Sequence, residues 1–257
     1  MLQGFTPPYT PQGLSSLVTA PPWHYAGQML SLRYAIDPSV AATYLPKVLG
    51  RPTGQGYVHV CEWQSCSEGW ELRDPVYAQY REFFVMIEAK RGDDTLSVYC
   101  PLIWVDQDIA MLRGLLQGWP KKMGSIAMTR SYNLDHPAAA APRDGTKIGA
   151  SLAAKDRRIA ELVATLHDAP GAVMGVLAHP AINYAGLPDL EAGAAPTNPR
   201  LLRARVRDVR LGPMVRGTAE VRFLGNPREE LLSLAPQGSV EASFGFVALS
   251  IDGAAAA

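Results

Sequence analysis

Two adjacent lysines in an apolar, turn-forming segment are the side chains of this sequence best suited to chemistry. Lys121 and Lys122 lie within the run GWPKKMG, residues 118 to 124. Neighbouring side chains of an extended segment point to opposite faces, so one lysine faces inward if the other faces water. Burial disfavours the ammonium form, and only the neutral amine attacks a ketone. An inward lysine would therefore form a Schiff base, whose iminium nitrogen stabilises a carbanion on the neighbouring carbon.

Such a lysine needs a dry pocket with apolar walls. Candidate walls in this sequence are Trp119, Met123 and the aromatic pair Phe83 and Phe84. The simpler alternative is that both lysines are solvated charges, as adjacent lysines usually are.

Signatures of several other enzyme classes are absent from the sequence. It contains no G-x-G-x-x-G or Walker loop for nucleotides, no G-x-S-x-G nucleophile elbow and no H-E-x-x-H zinc site. Its five histidines are scattered without a pair at i and i+4, and its three cysteines have no C-x-x-C spacing. We therefore expect free, reduced thiols and no metal site.

The composition is typical of a soluble globular protein. The chain has 257 residues, of which 47% are hydrophobic, and its 24 basic side chains balance its 24 acidic ones. A neutral chain has no overall attraction to phosphate backbones or anionic lipid, so we expect neither a nucleic acid nor a membrane as partner. No apolar run reaches the length of a membrane span, about 18 to 20 residues. The N-terminus also lacks a signal-peptide pattern, which favours a cytoplasmic location.

Most of the predicted elements are strands, and the C-terminal half of the chain is nearly all β. Segments that alternate, or that are rich in β-branched and aromatic residues, predict strands at 29–36, 57–63, 83–89, 96–104, 171–178, 201–211, 217–224 and 241–251. Residues 155–167 fit both a strand and a short helix, and we favour the strand. Four arginines in the strand at 201–211 are interpreted as a solvated face: Arg203, Arg205, Arg207 and Arg210.

Two short helices are predicted between the strands. One follows the dipeptide Asp37-Pro38 and ends near Leu49. The other has apolar residues at helical spacing from Ile109 to Leu116 and a cap at Asp106 or Asp108. The lysine segment therefore follows a helix C-terminus.

These elements predict an α+β fold, mostly antiparallel β, with a barrel-like sheet and no βαβ rhythm. Residues 1–22 contain five prolines and predict an extended N-terminal arm, of a kind that often packs on a partner subunit. Residues 23–252 are expected to form a single domain, and residues 253–257 a disordered tail.

Three elements of the sequence together resemble the acetoacetate decarboxylase superfamily. They are Tyr80-Arg81-Glu82, then Pro101 with Val105-Asp106, and then Gly118-Trp119-Pro120-Lys121-Lys122. The segment LSLRYAID, residues 30 to 37, also resembles the family's first strand and helix start. The resemblance spans residues 24 to 125, whereas the C-terminal half agrees only in its β-rich character.

The resemblance implies a fold, an assembly and a reactive residue. Family members fold as a closed antiparallel barrel of cone-like sheets with flanking helices. They form homo-oligomers, here expected to be tetramers or larger, and need no metal or organic cofactor. By resemblance, Lys121 is the Schiff-base residue with a lowered pKa, and Lys122 points elsewhere. The family's pocket glutamate corresponds to Glu82, and a second one corresponds more loosely to Glu62.

Two departures from the family pattern bear on the reaction. The decarboxylase holds its substrate carboxylate with an arginine from the first strand, where this sequence has Gly27. The family's Gly-Arg-Glu before the lysine becomes Arg113-Gly114-Leu115, and Gln117 lies four residues before Lys121. Gln117 would orient the substrate carboxylate or a new hydroxyl, and Arg113 is a weaker candidate for the charge role.

Gln117 makes the sequence more similar to superfamily members in which the same lysine reacts with pyruvate. We expect a carbon–carbon lyase acting on a small oxo acid, a pyruvate aldolase-dehydratase in which Glu82 is the general base. One alternative is acetoacetate decarboxylation through the same lysine, and another is a non-catalytic oxo-acid binding protein. The simpler interpretations are a Glu82 paired with Arg81 or Arg91 at a strand edge and a surface amide at Gln117.

Overall fold

The computed structural model describes residues 1–188, 190–191, 193 and 199–257. Within these residues there are two α-helices, α1 (Pro38–Tyr44) and α2 (Asp108–Leu116). The strands are β1 (Trp23–Ala35), β2 (Arg51–Cys66), β3 (Gln79–Lys90), β4 (Leu96–Val105), β5 (Lys121–Met123), β6 (Ser125–Met128), β7 (Lys147–Ala154), β8 (Arg157–Pro170), β9 (Ile182–Ala185), β10 (Arg200–Leu211), β11 (Val215–Phe223) and β12 (Gln237–Ala256). None of the helices in the described ranges has the length and apolar character needed to cross a membrane.

The strands form one large mixed sheet. Ten of them follow a single hydrogen-bonded path in the order β5-β4-β3-β2-β1-β12-β11-β8-β7-β6. Strand β10 pairs with the C-terminal part of β12, and β9 pairs with β10. The pairing of β4 with β5 is parallel, and the neighbouring pairs β3 with β4 and β2 with β3 are antiparallel.

The sheet is not closed into the barrel that the family resemblance implies. Its path ends at β5 and β6, and no ladder joins these two strands in the described part of the chain. The ends do approach each other, since β6 contacts β3 and β4. However, Gly124 is the only residue between β5 and β6. The commonest tight hairpin loops contain two residues, so this connection is too short to turn β6 back alongside β5.

Alternating side chains of the central strands belong to two separate hydrophobic cores. Leu30 of β1 and Phe83 of β3 point into a core shared with side chains of β7, β8 and β12. Their neighbours Met29 and Phe84 point to the opposite face, into a second core shared with β4 and α2. A shift of one residue along a strand therefore moves a side chain from one core to the other.

Several predicted elements are present with shifted ends. The second helix begins at Asp108, whereas the Asp106 carboxylate instead accepts a hydrogen bond from β3. The ambiguous segment belongs largely to β8, Arg157–Pro170, so the favoured strand is present. The strand predicted at 171–178 is wrong, because Gly175 has a left-handed φ of 58° and starts a 3-10 turn.

Both ends of the chain differ from the prediction. The first 22 residues fold back instead of extending: Gln3 and Thr10 form a bridge, and the Ser16 hydroxyl donates to the Thr6 carbonyl. Side-chain hydroxyls thus supply hydrogen bonds that the prolines of this segment cannot. The predicted disordered tail instead continues β12 to Ala256, because its backbone groups pair with those of β10.

A buried histidine supports the segment that crosses the second core. His59 of β2 is fully buried, its Nδ1 lies 2.9 Å from the Ser31 hydroxyl, and its ring packs on Phe84. A Cβ at Gly175 would lie 2.2 Å from His59 Nε2, so only glycine fits there. Burial lowers the pKa of His59 to about 3.

We expect this histidine to make the protein acid-sensitive. Between pH 6.5 and about 3, the unfolded chain binds a proton at His59 that the native state does not. The contribution is complete above the unfolded pKa and is lost as the pH falls, by up to about 1.4 kcal/mol per pH unit. Urea denaturation at a series of pH values should show a shallower loss for His59→Gln than for wild type. Equal slopes in the two proteins would contradict this, and the exposed His136→Gln is the control.

Candidate active site

A cavity of about 400 Å³ lies on the side of the second core. The inner face of β1 to β4 forms one wall, and the segment after the Gly175 turn together with β10 and β12 forms the other. Five aromatic side chains are among the residues that line it: Tyr25, Trp63, Tyr80, Phe84 and Trp119. Its volume is in the range of pockets that hold small organic ligands.

Lys121 and Glu82 meet inside this cavity. Lys121 Nζ donates to Glu82 Oε2 at 3.0 Å, and each side chain is 10% exposed. The other carboxylate oxygen, Glu82 Oε1, accepts from Trp63 Nε1 at 2.7 Å. The Tyr80 ring lies over the amine, with 5.4 Å between Nζ and the ring centroid. An amine beside a carboxylate in a largely apolar enclosure can act as a nucleophile whose proton has a nearby acceptor.

The pairing of β5 with β4 places Lys121 and Lys122 on opposite faces. Lys121 pairs with Ile103 of β4, and both line the cavity. Lys122 points away from it, where its Nζ contacts Glu229 and lies 4.8 Å from the Trp104 ring centroid. Lys122 is therefore held by an ion pair and a ring outside the cavity.

The Lys121 side chain passes over helix α2. A Cβ at Gly114 would lie 2.3 Å from Lys121 Cδ and 2.6 Å from its Cε, so the lysine stem crosses α2 where the helix has no side chain. The helix ends before Gly118, whose φ of 87° is left-handed and suits glycine. The chain then turns through Trp119 into β5.

Arg113 lies in the last turn of α2 and Gln117 caps its C-terminus, but only Gln117 lines the cavity. Gln117 Nε2 donates to the Arg113 carbonyl at 3.0 Å, and its buried Oε1 has no hydrogen-bond partner among the described residues. The Arg113 guanidinium lies 5.0 Å from the centroid of Tyr25 and 5.8 Å from that of Tyr80. Arg113 is thus buried behind the cavity wall.

The structure places Glu62 and Phe83 away from the cavity, which corrects their predicted substrate-binding roles. In the β2–β3 ladder Cys61 is opposite Glu82, and residues directly opposite each other share a face. Glu62 therefore faces the other side, where its Oε1 accepts from Arg81 and Arg130. Phe83 directly follows Glu82 on β3, so it too points to the opposite face, into the first core.

Phe84 was predicted as a cavity wall, whereas several other cavity residues were not predicted. Tyr80, like Phe84, lies two residues from Glu82, so strand alternation alone would have placed it on the same face. His179 and Arg203 come from distant segments and carry no local signal that links them to Lys121. Their presence follows from the pairing of β10 with β9 and β12.

Three weakly acidic side chains in and around the site have a raised pKa. Burial raises the pKa of the Tyr80 phenol well above its usual value, and the Glu82 carboxylate raises it further. Burial likewise raises the pKa of the Cys61 and Cys100 thiols, which are free. Across the described ranges, no group of three or more histidine, cysteine or acidic side chains is arranged to hold a metal ion.

Comparison with known proteins identifies the family. The family model for acetoacetate decarboxylase (ADC) matches residues 6–256, so the chain belongs to the acetoacetate decarboxylase family. A comparison with curated proteins finds no match.

Solved structures extend the likeness over the whole chain. Enduracididine biosynthesis enzyme MppR, complexed with the condensation product of pyruvate and imidazole 4-carboxaldehyde, has a TM-score of 0.91 and 27% identity, covering 100% of this chain and 97% of that one. The same enzyme complexed with pyruvate has a TM-score of 0.89. An acetoacetate decarboxylase-like enzyme from Sphingomonas wittichii RW1 has a TM-score of 0.89 and 25% identity, covering 99% and 100%. Acetoacetate decarboxylase from Legionella pneumophila, at 13% identity and a TM-score of 0.74 over 93% and 88%, shares the fold.

Gly114→Ala should displace Lys121 without unfolding the protein. Alanine is a better helix former than glycine by about 1 kcal/mol, so α2 itself should gain stability. The new Cβ overlaps the lysine stem, and we expect a crystal structure of the variant to show the contact between Lys121 Nζ and Glu82 lost. A retained distance of 3.0 Å would contradict this account. Gly92→Ala, at a position with open space around it, is the matched control.

Proposed function

We propose that this protein is a pyruvate-using aldolase-dehydratase, which condenses pyruvate with an aldehyde and removes water through an iminium on Lys121. The observation that carries the proposal is the Lys121 amine 3.0 Å from Glu82 inside an aromatic-walled cavity. Similarity adds support, because MppR, at 27% identity over the whole chain, is complexed with pyruvate and with a pyruvate condensation product.

Lys121 serves as nucleophile and Glu82 as proton carrier in the first half of the reaction. Glu82 takes a proton from the Lys121 ammonium, and the free amine adds to C2 of pyruvate. Glu82 returns the proton to the resulting hydroxyl, which leaves as water and gives the iminium. The ionised Glu82 then removes a methyl proton, and the electron pair moves into the enamine.

The second half forms the new carbon–carbon bond. The enamine carbon bonds to the aldehyde carbon, whose oxygen takes the proton from Glu82. Glu82, ionised again, removes a second proton from the former methyl carbon and returns it to that hydroxyl, which leaves as water. Hydrolysis of the iminium then frees Lys121 and releases an unsaturated 2-oxo acid.

Gln117 is suited to hold a hydroxyl during these steps. Its Nε2 is engaged by the Arg113 carbonyl, and its Oε1 is a buried acceptor in need of a donor. A hydroxyl of the first adduct or of the aldol supplies such a donor, whereas a carboxylate does not. The protonated phenol of Tyr80, next to Lys121, is a donor for a substrate oxygen.

The backbone at Gly27 argues against acetoacetate decarboxylation. A Cβ at this position would lie 2.1 Å from the Glu62 carbonyl oxygen, so β1 has no room for a side chain where the decarboxylase has its arginine. The carboxylate of a 3-oxo acid would therefore lack the arginine that binds it in the decarboxylase. Decarboxylation and oxo-acid binding without turnover remain the alternatives that the experiments below distinguish.

Assembly and location stay predictions. A homo-oligomer of four or more subunits is expected from the family, and light scattering of the purified protein checks it. A cytoplasmic location is expected from the sequence, and fractionation of the source cells checks it.

Borohydride reduction should trap pyruvate on Lys121. We expect the intact mass to rise by one reduced pyruvate, and peptide mapping to place the adduct on Lys121. Lys121→Ala should abolish the adduct, whereas Lys122→Ala should keep it, because Lys122 lies outside the cavity. Trapping with acetoacetate but not with pyruvate would support the decarboxylase, and trapping with neither would contradict both.

Glu82→Gln should block proton removal while leaving the cavity shape intact. The glutamine oxygen still accepts from Trp63 Nε1, but the amide cannot act as a base. We expect exchange of the pyruvate methyl protons with deuterated water to slow by about 10² to 10⁴ fold. The matched control is Glu62→Gln, in the neighbouring strand but on the other face, which should exchange close to the wild-type rate. A normal exchange rate in Glu82→Gln would remove Glu82 as the base.

A further inference from the structure

The cavity extends well beyond the lysine, toward a second end that the pyruvate chemistry does not use. Lys121 lies next to β4, whereas the opposite wall is made by β10 and the end of β12. Strand β10 reaches the cavity through β9, which pairs with β10 and lies against β4, where the Cys100 amide donates to Asn183 Oδ1. The outer end is lined mainly by aliphatic side chains, among them Val206, Val209, Leu249 and Ile251.

Arg203 is an unpaired cation at the solvent-exposed part of the cavity lining. Of the described residues, three basic side chains line the cavity: Lys121, His179 and Arg203. Lys121 is paired with Glu82, and His179 Nε2 lies 3.4 Å from Glu88 Oε2. Arg203 makes no ion pair or side-chain hydrogen bond with any described residue, although Arg207 on the same strand pairs with Asp252.

The pyruvate carboxylate lies beside Lys121, because in the iminium it is attached to the carbon that is bonded to Lys121 Nζ. The aldehyde carbon bonds to the former methyl carbon, and the rest of the aldehyde therefore extends away from Lys121. The outer end, with its aliphatic wall and its guanidinium, is where that remainder lies.

We propose that the aldehyde co-substrate has an apolar body with a carboxylate at its far end, and that Arg203 binds this carboxylate and determines the specificity. The guanidinium presents a planar fork of donors that matches a carboxylate. The proposal rests on the function proposed above, of which it names the second substrate class. Arg203 acts on the remote part of the substrate and takes no part in proton transfer.

The test compares two aldehydes of the same shape, 4-carboxybenzaldehyde and its methyl ester. With pyruvate as first substrate, we expect wild type to have a kcat/KM about tenfold or more higher for the acid, the factor expected of a charged hydrogen-bonded pair. Arg203→Gln should lose that factor for the acid and leave the ester unchanged. Arg205→Gln, on the same strand but outside the cavity, should behave as wild type. Equal kcat/KM for acid and ester in wild type, or equal losses for both in Arg203→Gln, would overturn the proposal.

A binding measurement separates this proposal from the pyruvate chemistry. The probe is 4-(hydroxymethyl)benzoate, which keeps the body and the carboxylate but cannot react with an enamine. Calorimetry should give weaker binding to Arg203→Gln than to wild type and Arg205→Gln, even if borohydride traps no pyruvate. Retained trapping with equal binding to all three proteins would overturn the role of Arg203 and leave the lysine chemistry standing.

Discussion

The ion pair between Lys121 and Glu82 is the interaction on which the site depends. Two charges that are mostly withdrawn from water are tolerated when they are paired and hydrogen-bonded, and the loss of either partner leaves the other uncompensated. Strand β4 sets the geometry of the pair, because it pairs with Glu82 through Val105 on one side and with Lys121 through Ile103 on the other. The register of three neighbouring strands thus brings the two side chains together.

The residues around the pair hold both side chains in place and leave the Lys121 amine facing the cavity. Gly114 makes room for the lysine stem, and Trp63 holds one carboxylate oxygen while the other meets the amine. Lys122, one residue on, is bound to Glu229 on the other face. Side chains of β4 and β10 complete the lining of the cavity that the amine faces.

The family resemblance predicted Lys121, Glu82 and Gln117 as site residues, the local sequence added Trp119, and all four line the cavity. Spacing alone indicates only that Lys121 and Lys122 point to opposite faces. Glu62 and Phe83 were misplaced because their faces depend on ladder register, and a one-residue difference reverses the face.

Features that depend on pairing between strands far apart in the chain could not be predicted from the sequence. Arg203 looks like one of several solvated arginines until β10 is seen to pair with β12 beside the cavity. The open path of the sheet depends on how β5 and β6 end, which no propensity reveals. The C-terminal alanines form a strand only because β10 offers them an edge.

A crystal structure of the protein soaked with pyruvate, without reductant, tests the central claim most directly. The account predicts continuous electron density between Lys121 Nζ and C2 of pyruvate, with the methyl carbon facing Glu82. An undisturbed pair of Lys121 and Glu82, with pyruvate bound elsewhere or without a covalent bond, would contradict it.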